Sequence, residues 1–192
     1  MLIKNDFEVA EPVDKVWTFF QDIPQVAACL PGAELTEDLG GDHYKGRVAV
    51  RMGPVKLQFA GTAEITERDE PARRLVVNAA GADEKGRGQA SMIVTAVLAA
   101  AGRGTRVGVT QDLQLSGAAA QYGRGMISDV TAVLMRDFSV NLQRRINAAE
   151  RGETAGLASA APASGLAVGM RAALMALRRV FRRFFAPYQA AS

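Results

Sequence analysis

One histidine, one cysteine and a few scattered tyrosine and glutamine side chains are the chain's main candidates for chemistry at neutral pH. His43 stands in "GGDHYKG", where glycines and aspartate mark a turn, so it is expected as a solvated surface group. Cys29 follows Ala27 and Ala28 and precedes Leu30, and it is expected as a small buried hydrophobe. A metal site needs three or four converging ligands, which one His and one Cys do not supply. No nucleophile lies beside a base in a way that points to covalent catalysis. "GADEKGRG" has the glycine content of a phosphate-cradling loop, but strand patterns flank it on both sides instead of a strand and a helix. It is therefore expected as a hairpin loop. Tyr44, Gln58 and Gln111 are the remaining polar groups that could converge in an interior. The inventory favours binding over catalysis.

Charge narrows the partners. The 192 residues carry 23 Lys+Arg and 20 Asp+Glu, a net charge of +3. Residues 154–192 hold five arginines and no carboxylate, which leaves 18 bases against 20 acids in residues 1–153. The body is close to neutral, and nucleic-acid binding, which needs a concentrated basic face, is not expected. The lone cysteine allows no internal disulfide and fits a reducing compartment. Lys4 and Asp6 argue against a secretory signal, and no apolar run approaches the roughly 20 residues of a spanning helix. The expected place is the cytoplasm.

The elements that must position these groups follow from periodicity. Ile3, Phe7 and Val9 alternate with polar neighbours as in a strand that stops at Pro12. Pro12 then opens a short helix carrying Val13, Val16, Trp17 and Phe20 on one side, and "IPQVAACL" forms a second that stops at Pro31-Gly32. From there to about residue 116 the period is two, with turn signals at 52–54, 70–71, 85–86 and 102–104. Such short connections imply an antiparallel meander. A helical pattern returns from about Ala119 to Ala149, with Tyr122, Met126, Val130, Val133, Leu134, Phe138, Leu142 and Ile146 as its stripe. One helix across a bent sheet cannot fill the concavity, so the fold is an α+β grip around a cavity.

Alternation also says which side chains face inward. Tyr44, Val48 and Val50 lie on one strand, Phe59 and Ala63 on the next, and Val77 and Ala79 on a third. Ala90, Met92 and Val94 follow, then Val107 and Val109. Many of these are small, so the interior is expected to be under-packed. A dry void costs on the order of 24 cal/mol per Å³, much of which a ligand recovers. Phe20 has two readings, a core contact or a roof over one mouth. Tyr122, Met126 and Val130 are either core stripe or the lining of the other mouth.

Residues 151–165 are small, polar or Pro/Gly and read as a flexible linker between a domain at 1–150 and a tail at 166–192. Placed at about 100° per residue, Met170, Leu174, Leu177, Phe181, Phe184 and Phe185 fall within about 120° of arc. Arg171, Arg178 and Arg182 cluster on one flank, with Arg179 and Arg183 behind. A helix this charged does not span a bilayer but suits its interface, where each arginine contributes at most about 1 kcal/mol. An anionic membrane surface is the first reading; a partner's groove and the chain's own cavity mouth are the alternatives.

The stretch "PVDKVWTFFQDIPQVAACLPGAE" (Pro12–Glu34) closely resembles the CoxG family of carbon monoxide dehydrogenase subunits, a START/Bet v 1-like helix-grip branch. The matching features are the helix-opening Pro12, Val16-Trp17, Asp22-Ile23-Pro24 and Cys29-Leu30-Pro31-Gly32. The likeness continues through "GPVKLQFAGTAEI", "GADEKGRGQAS", "GAAAQYGRGMISDV" and "FSVNL", covering roughly residues 1–147. The resemblance implies a helix-grip fold and an accessory protein, not a catalyst. It further implies a molybdenum-containing CO dehydrogenase or hydroxylase as partner, help in placing that enzyme at the inner face of the cell membrane, and room for an apolar molecule. With the basic tail, the expected ligand is an isoprenoid or acyl compound, a membrane quinone first. A polyketide-cyclase-like enzyme and a recruitment adaptor with no cavity ligand are the alternatives.

Overall fold

The computed structural model describes residues 1–151, so the expected linker and basic tail helix lie outside the described residues. Strand β1 (Leu2–Val9) leads through α1 (Val13–Gln21) and α2 (Ile23–Cys29) into a run of six strands. These are β2 (Ala33–Gly40), β3 (His43–Met52), β4 (Val55–Asp69), β5 (Arg74–Asp83), β6 (Gln89–Ala101) and β7 (Gly104–Leu115). A 3-10 turn (Gly117–Gln121) precedes α3 (Arg124–Glu150). The sheet order is β1-β7-β6-β5-β4-β3-β2, antiparallel throughout. Six strands form the meander that the turn signals imply. The return of β1 to pair with β7, Leu2 opposite Asp112 through Val9 opposite Thr105, makes the seventh.

The two short helices begin where the prolines and aspartate put them. Pro12 supplies the carbonyl that accepts from Lys15 N and Val16 N, and α1 turns Val16, Trp17 and Phe20 into the core. Asp22 caps α2 by accepting from Gln25 N at 3.1 Å. At 27 residues α3 is about 40 Å long, enough to cross the whole sheet. It runs closest to β1, β3 and α2. Asn141 Nδ2 donates to Cys29 O at 3.0 Å, Arg145 Nη1 to Gln25 Oε1 at 3.1 Å, and Ala10 N to Gln143 Oε1 at 2.7 Å. Among the described residues no helix is long and apolar enough to cross a membrane.

The helix does not start at Ala119. Residues 116–118 are tied to the β5–β6 loop, with Ser116 N donating to Gln89 O and Ala118 N to Arg87 O. Gly117 sits at φ +67°, and a Cβ there would lie 2.4 Å from Arg87 O. This anchoring holds the segment off the helix axis, and α3 starts afresh after Gly123. Its phase then decides the stripe. Met126, eight residues from the half-buried Leu134, lies about 80° off the stripe, whereas Ile127 lies about 20° off. Accordingly Ile127 is buried and Met126 is 45% exposed.

Buried apolar residues form two separate clusters on the concave side. One gathers Val16, Trp17, Phe20 and Cys29 from the short helices with Tyr44, Ile65, Leu98 and Val107 from the sheet and Phe138, Leu142 and Ile146 from α3. Phe138 is its hinge, meeting Phe7 and Phe20 edge-on at 5.8 and 6.5 Å between ring centres. The other joins Ile3, Met52, Leu57 and Phe59 to Ala119, Ile127 and Val130.

Between them the sheet bends along a glycine row, Gly46 opposite Gly61 and Gly61 opposite Gly81. At Gly61 the neighbouring strand comes so close that a Cβ would lie 1.9 Å from Ala80 O, an atom of fixed backbone. Gly61→Ala is therefore expected to lower the melting temperature by on the order of 10 °C or to prevent folding. Gly108→Ala, whose Cβ would meet nothing nearer than 3.9 Å, is expected to shift it by no more than a few degrees. Thermal unfolding followed by circular dichroism checks both.

Candidate ligand-binding site

The strand registers define the floor of the concavity row by row. One row reads Tyr44, Ala63, Ala79, Met92, Leu113 across β3, β4, β5, β6 and β7. The next, toward the first cluster, reads Ile65, Val77, Val94, Gln111, Ile3, ending on β1. On the other side runs Gly46, Gly61, Gly81, Ala90, Leu115. Gly61, Ala63, Ala79, Gly81 and Met92 belong to neither buried cluster. Four of these five carry only a hydrogen or a methyl group, so they reach little way toward α3. Leu134 and Met135, on the middle of α3, are each half-buried and pack against different clusters. The seam between the clusters is thus a strip of the floor lined mainly by small side chains.

Polar groups enter this floor at its β1–β7 side. Asn5 stands opposite Val109, and Gln111, two residues on, stands opposite Ile3. Both face the concave side, as does buried Thr131 of α3, whose hydroxyl donates to Ile127 O at 2.8 Å. Asn5 Nδ2 is fully buried without a partner. Gln111 is 6% exposed. Tyr44 is buried at the far side of the floor, four strands from Gln111, and burial raises its phenol pKa. Gln58 faces the opposite side of the sheet, so Tyr44, Gln58 and Gln111 do not converge.

The two ends of the interior are held differently. At the second cluster's end, Asp83 of β5 is buried and accepts from Gln58 N at 3.0 Å, Lys85 N at 3.1 Å and Arg87 N at 3.3 Å. Arg87 adds Nε and Nη2, each at 2.7 Å from one carboxylate oxygen. The Arg87 guanidinium, followed by the backbone donors, holds the Asp83 carboxyl well below the usual carboxylate range. The glycine-rich "GADEKGRG" is therefore a hairpin loop cinched by its own ion pair. At the other end Cys29 is fully buried, donates to Gln25 O at 3.3 Å, and burial pushes its thiol up to about 12. It is an inert packing group at neutral pH. His43 is exposed on the outer face, beside Glu64 at 3.4 Å and Gly41 O at 2.7 Å. Among the described residues no three His, Cys, Asp or Glu side chains group as a metal site would require.

The expected lining residues divide by burial. Phe20, Tyr44, Val107 and Val109 are packed into the first cluster, and Phe59 and Val130 into the second. Val77 and Val94 flank the first, while Val48, Val50, Ala90 and Tyr122 flank the second. Ala63, Ala79 and Met92 lie on the seam, outside both clusters. Met126 is corrected to Ile127, because the late start of α3 rotates Met126 toward solvent. Phe20 is a core contact against Phe138. Sequence reasoning missed Asn5, Gly61 and the Asp83–Arg87 pair. Alternation on β1 would have shown Asn5 facing inward, but the glycine row is visible only once register is known.

Hollows of about 440 and 460 Å³ border the sheet. The first is on the outer face, along Thr62, Glu64, Asn78, Ser91, Ile93 and Gln114, and it also touches Ala63, Ala79 and Met92 of the floor. The second sits where the end of β1 and the β6–β7 turn meet Ser139, Val140 and Gln143 of α3.

The CoxG family, described as a subunit of carbon monoxide dehydrogenase, matches residues 6–147. Solved structures share the fold. A conserved protein from Geobacillus kaustophilus is 23% identical, with a TM-score of 0.67 over 77% of this chain and 95% of that one. The Zhui aromatase/cyclase from Streptomyces sp. R1128 is 17% identical, with a TM-score of 0.50 over 81% of this chain and 98% of that one. Ara h 8.0201 is 14% identical, with a TM-score of 0.51 over 77% of this chain and 98% of that one. No curated protein matches.

The Asp83 box sets a pH dependence. Because the folded carboxyl titrates below its unfolded value of about 3.9, its stabilisation is present above that value and is lost as pH falls through the folded pKa. Asp83→Asn is expected to melt several degrees lower than the unaltered chain at pH 7, with the gap narrowing between about pH 4 and pH 2. Melting curves across that range check it.

Proposed function

Because the chain belongs to the CoxG family of carbon monoxide dehydrogenase subunits, we propose that it is a non-catalytic accessory protein that carries an apolar molecule for a molybdenum CO dehydrogenase-type oxidoreductase. The cargo is a membrane-derived isoprenoid quinone, held along the seam beneath α3. Residues 166–192 bring the protein to the inner face of the cell membrane, where it collects the cargo or helps place the enzyme. The observation that carries this reading is the seam itself. A floor of Gly61, Ala63, Ala79 and Gly81 separates two packed clusters, and its residues belong to neither. A flat, apolar ring with a long tail suits such a slot, because it supplies the contacts that methyl groups and hydrogens do not.

A cyclase-like activity would need polar groups gathered around a substrate. Tyr44 on β3 and Gln111 on β7 stand four strands apart, and Gln58 lies on the other face of the sheet, so among the described residues the inward side brings together only two uncharged amides, Asn5 and Gln111. The arrangement favours holding a molecule over transforming it.

Organic extraction of the purified full chain, followed by mass spectrometry, is expected to yield a quinone or related isoprenoid near one per protein. Ala79→Leu is expected to cut that yield at least several-fold while leaving the fold intact, since the longer side chain occupies the seam. Extracts without any lipophilic compound would remove the carrier reading. The tail has its own test, co-sedimentation with anionic liposomes. The full chain is expected to pellet, and a chain ending at Gly165 to stay in solution. Higher salt should release the full chain in part, by screening the arginines. Equal behaviour of the two chains would remove the membrane reading.

A further inference from the structure

We infer that Asn5 and Gln111 form a polar anchor in the seam that recognises an oxygen atom of the bound molecule, so that the ligand is a lipophilic carbonyl compound and not a plain hydrocarbon. The inference rests on the carrier reading and deepens it.

Two independent observations meet at one place. The seam is a strip of small residues between two packed clusters, and at its β1–β7 side the only inward polar side chains on those strands besides Thr105 are these two amides. Thr105, at the strand end, is already engaged, donating to Glu11 O at 2.7 Å. Asn5 Nδ2 is fully buried and has no hydrogen-bond partner. Gln111 is 94% buried, and its amide makes no hydrogen bond to another described side chain. The registers make Asn5 and Gln111 diagonal neighbours on adjacent strands, a separation that their side chains can bridge to one bound atom.

An orphaned donor in an apolar interior costs stability, and one well-placed acceptor recovers it. Leucine at either position would fit the surrounding Ile3, Val94 and Val109 without that cost. Amides there match a ring carbonyl, which accepts from Nδ2 of Asn5 and from the Gln111 amide. The reduced form of such a ring presents a hydroxyl, which the Gln111 carbonyl accepts, so the same pair serves both redox states. Nothing ionisable is needed, in keeping with an uncharged ligand.

Binding of decylubiquinone and of decylbenzene to the full chain, read by quenching or enhancement of Trp17 fluorescence and by equilibrium dialysis, tests this. The unaltered protein is expected to bind decylubiquinone at least tenfold more tightly than decylbenzene. Gln111→Leu and Asn5→Leu should each weaken decylubiquinone by roughly tenfold, the loss of about one hydrogen bond to a buried group. Both should leave decylbenzene unchanged and the melting temperature equal or higher. Gln111→Met serves as the second variant should the leucine exchange disturb packing. Equal affinity of all variants for decylubiquinone would overturn the anchor while leaving the carrier reading in place. Failure of the unaltered protein to bind either probe would overturn both.

Discussion

A seven-stranded antiparallel sheet can wrap a helix only if it bends, and here the bend is set where backbone takes the place of side chain. At Gly61 the carbonyl of Ala80 occupies the position a Cβ would need. Gly46 and Gly81 extend the same line across β3 and β5. That one constraint has two consequences that pull together. It lets the sheet curl so that β3 and β1 both approach α3, and it strips the middle of the floor of side chains. The two buried clusters then lie on either side of a strip of small side chains. A larger residue on the line would push against the carbonyls of the neighbouring strands, Glu34, Ala80 and Ala60, and so disturb the pairing that shapes the sheet.

The ends are held by different physics. Around α1 and α2 the fixing is apolar, with Phe138 meeting Phe7 and Phe20 and with Cys29 sealed in. Around the β5–β6 loop it is electrostatic, a buried Asp83 satisfied by three backbone donors and Arg87. The second arrangement reaches beyond its own loop, because Arg87 O accepts from Ala118 N and so fixes where α3 can begin. The start of α3 in turn decides which of Met126 and Ile127 faces the interior. A surface-looking loop thus sets the phase of the longest helix.

The seam differs from an ordinary core in its polar content. A core built for stability alone would place leucine or valine where Asn5 and Gln111 stand, since an unpartnered buried donor such as Asn5 Nδ2 is costly. They stand on adjacent strands at the β1–β7 side of the floor, across β6 from the strip of glycine and alanine on β4 and β5.

Much of this was legible in the chain before any coordinates. Period two from the thirties to residue 116, turn signals at short intervals and a terminal helical stripe determined the element order and the antiparallel meander, because those patterns are local. Strand alternation likewise put Tyr44, Ala63, Ala79 and Met92 on the concave face. The motifs between Pro12 and Glu34 pointed to the family, and the isolation of His43 and Cys29 argued against metal and nucleophilic chemistry. Tertiary structure alone decided the rest. The pairing of β1 with β7 brings Asn5 beside Gln111 across more than a hundred residues, and no local period encodes a partner so distant. The glycine row exists only in the register of three strands. The start of α3 depends on hydrogen bonds from a loop some thirty residues earlier, so an uninterrupted helical pattern in sequence misplaced Met126. Periodicity reports what each segment would bury, whereas the contacts between segments determine what remains open.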